Sequence, residues 1–207
     1  MSFVNNLKAA ILKLISKKKY VDFDVKLSNK VLMLRYDRIG DMIITTPVFR
    51  ELKKAYPNIE INVLASKVNY TVLNNNPYVN KVYLRNTTNI FFDLPLLFKL
   101  RKQKIDTCFE FDHSVVRHAI LRLKIIKPKK VISVIKEGRY GLKGNELKVY
   151  DFYTDKKFNA HFRDIWLETL KPFDIITKAN NYEIFCDTNE EKIAERFLSK
   201  FKDKFLI

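Results

Sequence analysis

Glycine is nearly absent. The chain has four in 207 residues, and Gly40 is the only one before residue 138. Neither GxxxxGK[ST] nor GxGxxG occurs, so the loops that cradle nucleotide phosphates on a helix N-terminus are missing. Cysteine is as scarce. Cys108 and Cys186 lie far apart, with no CxxC and no Cys/His ligand spacing. That excludes a recognisable zinc or redox motif and predicts two reduced thiols in a cytoplasmic protein. No apolar run approaches the roughly 20 residues of a membrane span. A secretory leader is not expected either: Lys8 and Lys13 break the first apolar stretch, and no small-residue cleavage site follows. There is no internal repeat and no low-complexity tract.

Positive charge and apolar surface are plentiful. Lys+Arg 39 against Asp+Glu 23 gives a net charge of +16. Such a surface attracts polyanions: nucleic acid, anionic lipid or phosphorylated sugar. Charge alone does not choose among them, and an AT-rich genome would also produce this excess of Lys and Asn. No helix-turn-helix, zinc-finger or RNP-like aromatic motif supports specific nucleic-acid binding. Hydrophobic residues make up 47% of the chain, enough for a packed core. The length suits one domain with a piece of a second.

The chain opens with "SFVNNLKAAILKLISKKKY". Phe3, Leu7, Ala10, Ile11 and Leu14 share one helical face, with Lys8, Lys13 and Lys17 to Lys19 mostly elsewhere. Residues 1–22 therefore read as a basic amphipathic helix. It either lies on an anionic membrane surface or packs on the domain that follows.

From Lys30 the pattern alternates. Strand-like runs are "KVLMLRY" at 30–36, "IEINVLA" at 59–65, "KVYL" at 81–84, "IDTCFEF" at 105–111 and "KVISVI" at 130–135. Helix-like segments lie between them at about 41–55, 67–75, 93–103 and 113–125. This order predicts an α/β fold, a Rossmann-like parallel sheet with helices on both faces, over residues 30–180. "NAHFRDIWLETLKPF" reads as a further helix with Phe162, Ile165, Trp166, Thr169 and Leu170 inward. "YEIFC" at 182–186 reads as one more strand. Asp187 and Glu190 then open a helix in capping-box spacing, reaching about Phe201. The last residues, "KFLI", look like the start of another strand.

The most unusual stretch is "LRYDRIGDMIITTPVFRELKKAYP" at 34–57. An apolar strand runs straight into Arg35, Asp37, Arg38, Gly40 and Asp41. In an open α/β sheet, ligands bind beyond the carboxyl ends of the strands. Gly40 permits a tight turn or a close backbone approach. Asp41 at a helix start has two readings: an N-cap worth roughly 1 kcal/mol, or a general base at the mouth of a cleft. Pro47 leaves the helix start open between Asp41 and a start capped by Thr46.

The run RxDRIGDxxxTTPxxRxLKxxxP, followed by a strand and then "NPYVNKV", resembles the opening of the family 9 glycosyltransferases, the lipopolysaccharide heptosyltransferases. "KIDTCFEFDHS" and "NAHFRDIWLETL" are similar to later segments of the same family, so the resemblance spans Lys30 to the C-terminus. It implies the N-terminal half of a GT-B enzyme, in which the first domain binds a growing lipid-linked inner core. The second domain would bind the nucleotide-activated heptose, ADP-heptose, as substrate. No cofactor and no metal are implied. Asp41 would be the base of an inverting transfer. Arg35, Arg38, Gly40, Thr45, Thr46, Asp112 and His113 would meet the acceptor.

The implied partners are an anionic glycolipid, the inner face of the bacterial inner membrane, and the donor domain. No counterpart of that donor domain follows Phe205, so residues 181–207 would be the strand and helix leading into it. Other histidines and arginines weigh less. Arg117, His118 and Arg122 read as a solvated helix face, and His161 as a helix start. A non-catalytic acceptor-binding module and a nonspecific nucleic-acid binder remain as other readings.

Overall fold

Along the first strand, Val31 and Met33 point to one side and Leu32 and Leu34 to the other, and all four are buried. A strand sealed on both faces needs a helical layer on each. The computed structural model, which describes residues 3–85, 89–136, 139–142, 146–155 and 159–201, supplies both. Its strands are β1 (Lys30–Leu34), β2 (Glu60–Ala65), β3 (Lys81–Leu84), β4 (Thr107–Glu110), β5 (Lys130–Val134) and β6 (Phe152–Thr154). They form one sheet in the order β3-β2-β1-β4-β5-β6, with every neighbouring pair parallel. Val31 faces Ile61 of β2 and Thr107 of β4. The strand order therefore reverses direction between β1 and β4, which is where such sheets open a crevice.

The helices are α1 (Phe3–Ser16), α2 (Ile39–Ile43), α3 (Thr46–Ala55), α4 (Ile90–Lys102), α5 (Arg117–Ile126), α6 (Phe162–Glu168) and α7 (Thr188–Leu198). One core holds Val48, Phe49 and Leu52 of α3 and Ile165 and Trp166 of α6 against Met33, Val63, Phe109 and Ile132. The other holds Leu12 of α1, Leu97 and Leu100 of α4 and Ile120 and Leu123 of α5 against Leu32, Leu64, Cys108 and Val131. The second layer also buries an ion pair. Arg122 donates to Asp93 at 2.9 Å, and both side chains are closed to solvent.

Several expectations need correction. The helix expected over 41–55 breaks at Ile44 and Thr45, because Pro47 lies in the first turn of α3 and starts a new helix there. Residues 67–75 form only a 3-10 turn, Tyr70–Leu73. The segment 182–186 is not a strand: its residues take no regular secondary structure and pair with no described strand. β6 escapes a reading from sequence because three residues are too few for a periodic signal. Phe162 is exposed at the first position of α6, while Ile165, Trp166, Thr169 and Leu170 are buried as expected. Arg122 leaves the solvated face expected for it, while Arg117 and His118 remain exposed there. The capping box of Asp187 and Glu190 forms as the spacing predicts. The terminal "KFLI" lies outside the described residues.

Candidate active site

The site is built at the carboxyl ends of β1 and β4. Arg35 continues β1 by donating its backbone N–H to Leu64 O at 3.1 Å. Its side chain then turns under the loop and is almost wholly buried. Nε donates to the Asp41 carbonyl at 3.0 Å, and Nη1 donates to Asp37 at 3.3 Å. Nη2 lies 3.3 Å from Asp41 Oδ1. The guanidinium also sits 5.2 Å from the Trp166 ring centre and 5.7 Å from that of Phe111. Burial lowers its pKa, while Asp37 and then Asp41 oppose that shift. Arg35 is therefore a strut that holds the loop rather than an open phosphate ligand.

Asn69 braces the same turn from the other side. It is fully buried, accepts the Ser66 N–H at 2.9 Å and donates to the Arg35 carbonyl at 3.2 Å. With both ends of the loop tied down, α2 begins at Ile39. Asp41 falls at the third position of α2, not at its N-cap, and accepts the Arg38 N–H at 3.3 Å. This is the returning half of a capping box. The carboxylate still keeps 38% of its side-chain surface in solvent, so capping does not use it up. Arg38 is exposed beside it.

Gly40 lies in α2 without a positive φ, so the tight-turn reading fails. A Cβ built there would meet nothing within 4 Å. The space in front of Gly40 is open, as a close approach from outside requires. Thr45 and Thr46 are buried and spend their hydroxyls on the backbone, donating to Asp41 O at 2.7 Å and Ile43 O at 2.8 Å. They shape the break between α2 and α3.

The neighbouring rim follows β4. Glu110, at the end of that strand, is buried with Lys136, which donates to it and to the Asp112 carbonyl. Glu110 also accepts the Asp112 N–H at 2.8 Å. Asp112 is half-buried, and its pKa is pushed up to about 8. Burial is the main cause; the charges of Glu110 and Asp37 add to it and Lys136 opposes it. Asp37 is raised as well, by burial first, against the pull of Arg35. His113 is exposed and packs against the Phe162 ring at 5.6 Å. His161 caps α6 by accepting the Arg163 N–H at 3.1 Å.

The structure thus brings Arg35, Arg38, Gly40 and Asp41 to one loop and Asp112 and His113 to the next. Sequence reasoning missed Asn69, Glu110 and Lys136, and it read Asp37 only as one of the strand-end charges and Trp166 only as a core residue. The charged strand end "FEFD" is the one signal that pointed to Glu110. Among the described residues, no group of three or more His, Cys, Asp and Glu is placed to hold a metal ion. A separate cleft of about 520 Å³ opens beside α6, between Arg163, Asp164, Glu168 and the segment Ile175 to Lys178. It touches neither loop.

The titration of Asp112 has a readable sign. Between pH about 4 and about 8 the native state holds a proton there that the unfolded chain has released. That contribution to stability is fully present below pH about 4 and is lost as pH rises towards 8. Wild type minus Asp112→Asn, measured as Tm against pH, should fall across this window. A flat difference would place the Asp112 pKa near its ordinary value.

No family profile matches the chain. Curated relatives do. Lipopolysaccharide heptosyltransferase 3 of Escherichia coli is 46% identical over 44 residues, which cover 21% of this chain and 13% of that protein. The protein of that name from strain K12 is 26% identical over 176 residues, 72% of this chain and 51% of the relative. The chain therefore spans about half the length of that relative. Among solved structures, a family 9 glycosyl transferase from Veillonella parvula superposes with a TM-score of 0.68. It is 15% identical, with 86% of this chain and 50% of that one covered. The E. coli ADP-heptose lps heptosyltransferase II gives a TM-score of 0.60 at 16% identity, covering 84% and 50%. These two likenesses show the fold, and the curated similarity adds the sequence. The chain is thus similar in sequence to lipopolysaccharide heptosyltransferase 3 over 72% of its length and similar in fold to a solved glycosyl transferase of family 9.

Proposed function

We propose that this chain is the acceptor-binding half of a heptosyltransferase-type, GT-B glycosyltransferase. It works on the inner core of a lipopolysaccharide or lipooligosaccharide at the cytoplasmic side of the inner membrane. One observation carries the reading: the Arg35–Asp41 loop and the Asp112–His113 loop meet at the reversal point between β1 and β4. Asp41 then acts as general base. Its carboxylate takes the proton of an acceptor hydroxyl, and the freed oxygen attacks the anomeric carbon of the donor heptose from the face opposite the diphosphate. The new C–O bond forms as the bond to the diphosphate breaks, ADP leaves, and the configuration inverts.

Arg35 fixes the orientation of Asp41 from below. Gly40 leaves room for the sugar. Asp112, largely protonated at neutral pH, donates a hydrogen bond to a sugar hydroxyl. Exposed Arg38 meets anionic groups of the core. The donor, ADP-heptose, is held by a second domain reached through residues 181–207. α7 buries none of its residues, and its Ile193 and Leu198 are exposed.

The test is a transfer assay with ADP-heptose and a core acceptor. The chain alone should give no turnover above background, and a chain supplied with a donor-binding half should transfer heptose. Robust turnover by the chain alone would contradict this division of labour.

A further inference from the structure

The apolar stripe of α1 does not pack on the domain. The helix docks through Leu12 and Ser16, with Ala9 and Ile15 beside them, while Val4, Leu7, Ile11 and Leu14 are about half exposed or more. At roughly 100° per residue Leu7, Ile11 and Leu14 fall within about 60° of one another, on the side away from Leu12 and Ser16, with Val4 at the edge of the row. About half or more of the surface of each of these side chains is left in water.

A second helix in the same layer does the same. α1 and α4 both pack against α5. α4 buries Leu97 and Leu100 but exposes Phe91, Phe92 and Phe98, at 73%, 65% and 50%. Apolar side chains left exposed on two helices that flank α5 in one layer mark a face that meets something apolar. The exposed charges carried by the two helices themselves have one sign, although Lys13 of α1 is paired with Glu146 at 2.7 Å. α1 contains no acidic residue, and the single carboxylate of α4, Asp93, is turned inward onto Arg122. Lys8, Lys17 and Lys19 stand exposed along and beyond α1, and Lys99, Arg101 and Lys102 at the end of α4.

We infer that the outer face of α1 and α4 seats this domain on an anionic lipid bilayer. The apolar rows enter the headgroup and acyl boundary, and the lysines and arginines meet the lipid phosphates. No described helix is long and apolar enough to cross a membrane, so the contact is in-plane. The inference rests on the placement of two helices and not on glycosyl transfer. Vesicle binding and acceptor binding can therefore fail separately.

The experiment is flotation of the chain with phosphatidylcholine vesicles, with and without phosphatidylglycerol. The chain should float only with the anionic vesicles. Leu7→Gln/Ile11→Gln/Leu14→Gln, which changes exposed positions only, should weaken binding roughly tenfold or more at unchanged Tm, since each buried side chain contributes. Ile11→Trp should show a blue shift in emission on adding anionic vesicles, beyond any shift of the wild-type chain. Three results would overturn the inference. Binding of the glutamine variant as tight as wild type would leave lysine electrostatics alone. An Ile11→Trp variant that sediments as a dimer, with its added emission already blue-shifted before lipid is present, would make this face a contact between copies. Failure of the chain to float with either vesicle would remove the lipid altogether.

Discussion

Asp41→Asn is expected to lower kcat by about 10²–10⁴-fold in the chain supplied with a donor-binding half, because a general base contributes on that order. Fold and Tm should hardly change. Asparagine keeps an acceptor for the Arg38 N–H, now donated at 3.3 Å. The lost ion pair with Arg35 involves a carboxylate that is 38% exposed, and Arg35 retains Asp37. A partly exposed pair of this kind is worth no more than about 1 kcal/mol. The competing view makes Asp41 only a capping residue. It predicts the reverse pattern: turnover preserved and Tm lowered. Measuring kcat and Tm on the same preparation separates the two.

Lys136→Met is expected to cost about 3–5 kcal/mol of stability. Lys136 and Glu110 are both closed to solvent, and the lysine is the cation against that carboxylate. Its removal leaves a buried charge held by the Asp112 N–H and the Ser133 hydroxyl, with no cation in place of the lysine. At about 2–4 °C per kcal/mol for a chain of this size, Tm should drop by roughly 6–20 °C. Glu110→Gln/Lys136→Met removes both charges and should regain most of the loss. Thermal melts of the three proteins test this. A single variant within about 1 kcal/mol of wild type would mean that Glu110 takes up a proton at little cost when the lysine is gone. The pair also ties stability to the site, since Lys136 holds the Asp112 carbonyl and keeps the pKa of Asp112 from rising further.

Much of the fold is legible because parallel strands covered on both faces write themselves as short β-branched runs. β1 to β5 can be read to within a few residues, as can the loop that joins β1 to α2. What stays hidden has physical causes. The side on which α1 docks depends on Leu12 and Ser16 fitting the second core, and an amphipathic pattern names the more apolar face instead. Period-2 alternation at 182–186 reads as a strand but says nothing of a partner edge. Arg122 looks solvated because nothing near it in sequence announces Asp93, 29 residues earlier.

The site is legible in part. Asp41 and Gly40 stand out as a charge and a glycine at a strand end. The parts that hold them do not: Asn69 arrives from the residue before a 3-10 turn and Trp166 from α6, both distant in sequence. Arg35 reads as a ligand because a strand-end arginine gives no sign that two rings will enclose it.

Acceptor binding at the two loops is the central claim. The decisive measurement is an NMR titration of the chain with a delipidated inner-core oligosaccharide at physiological salt, following backbone amides. Saturable shifts concentrated in residues 35–46 and 111–118 are the predicted result. Shifts scattered over surface lysines, or none at saturating sugar, would contradict the assignment of these loops as the acceptor site.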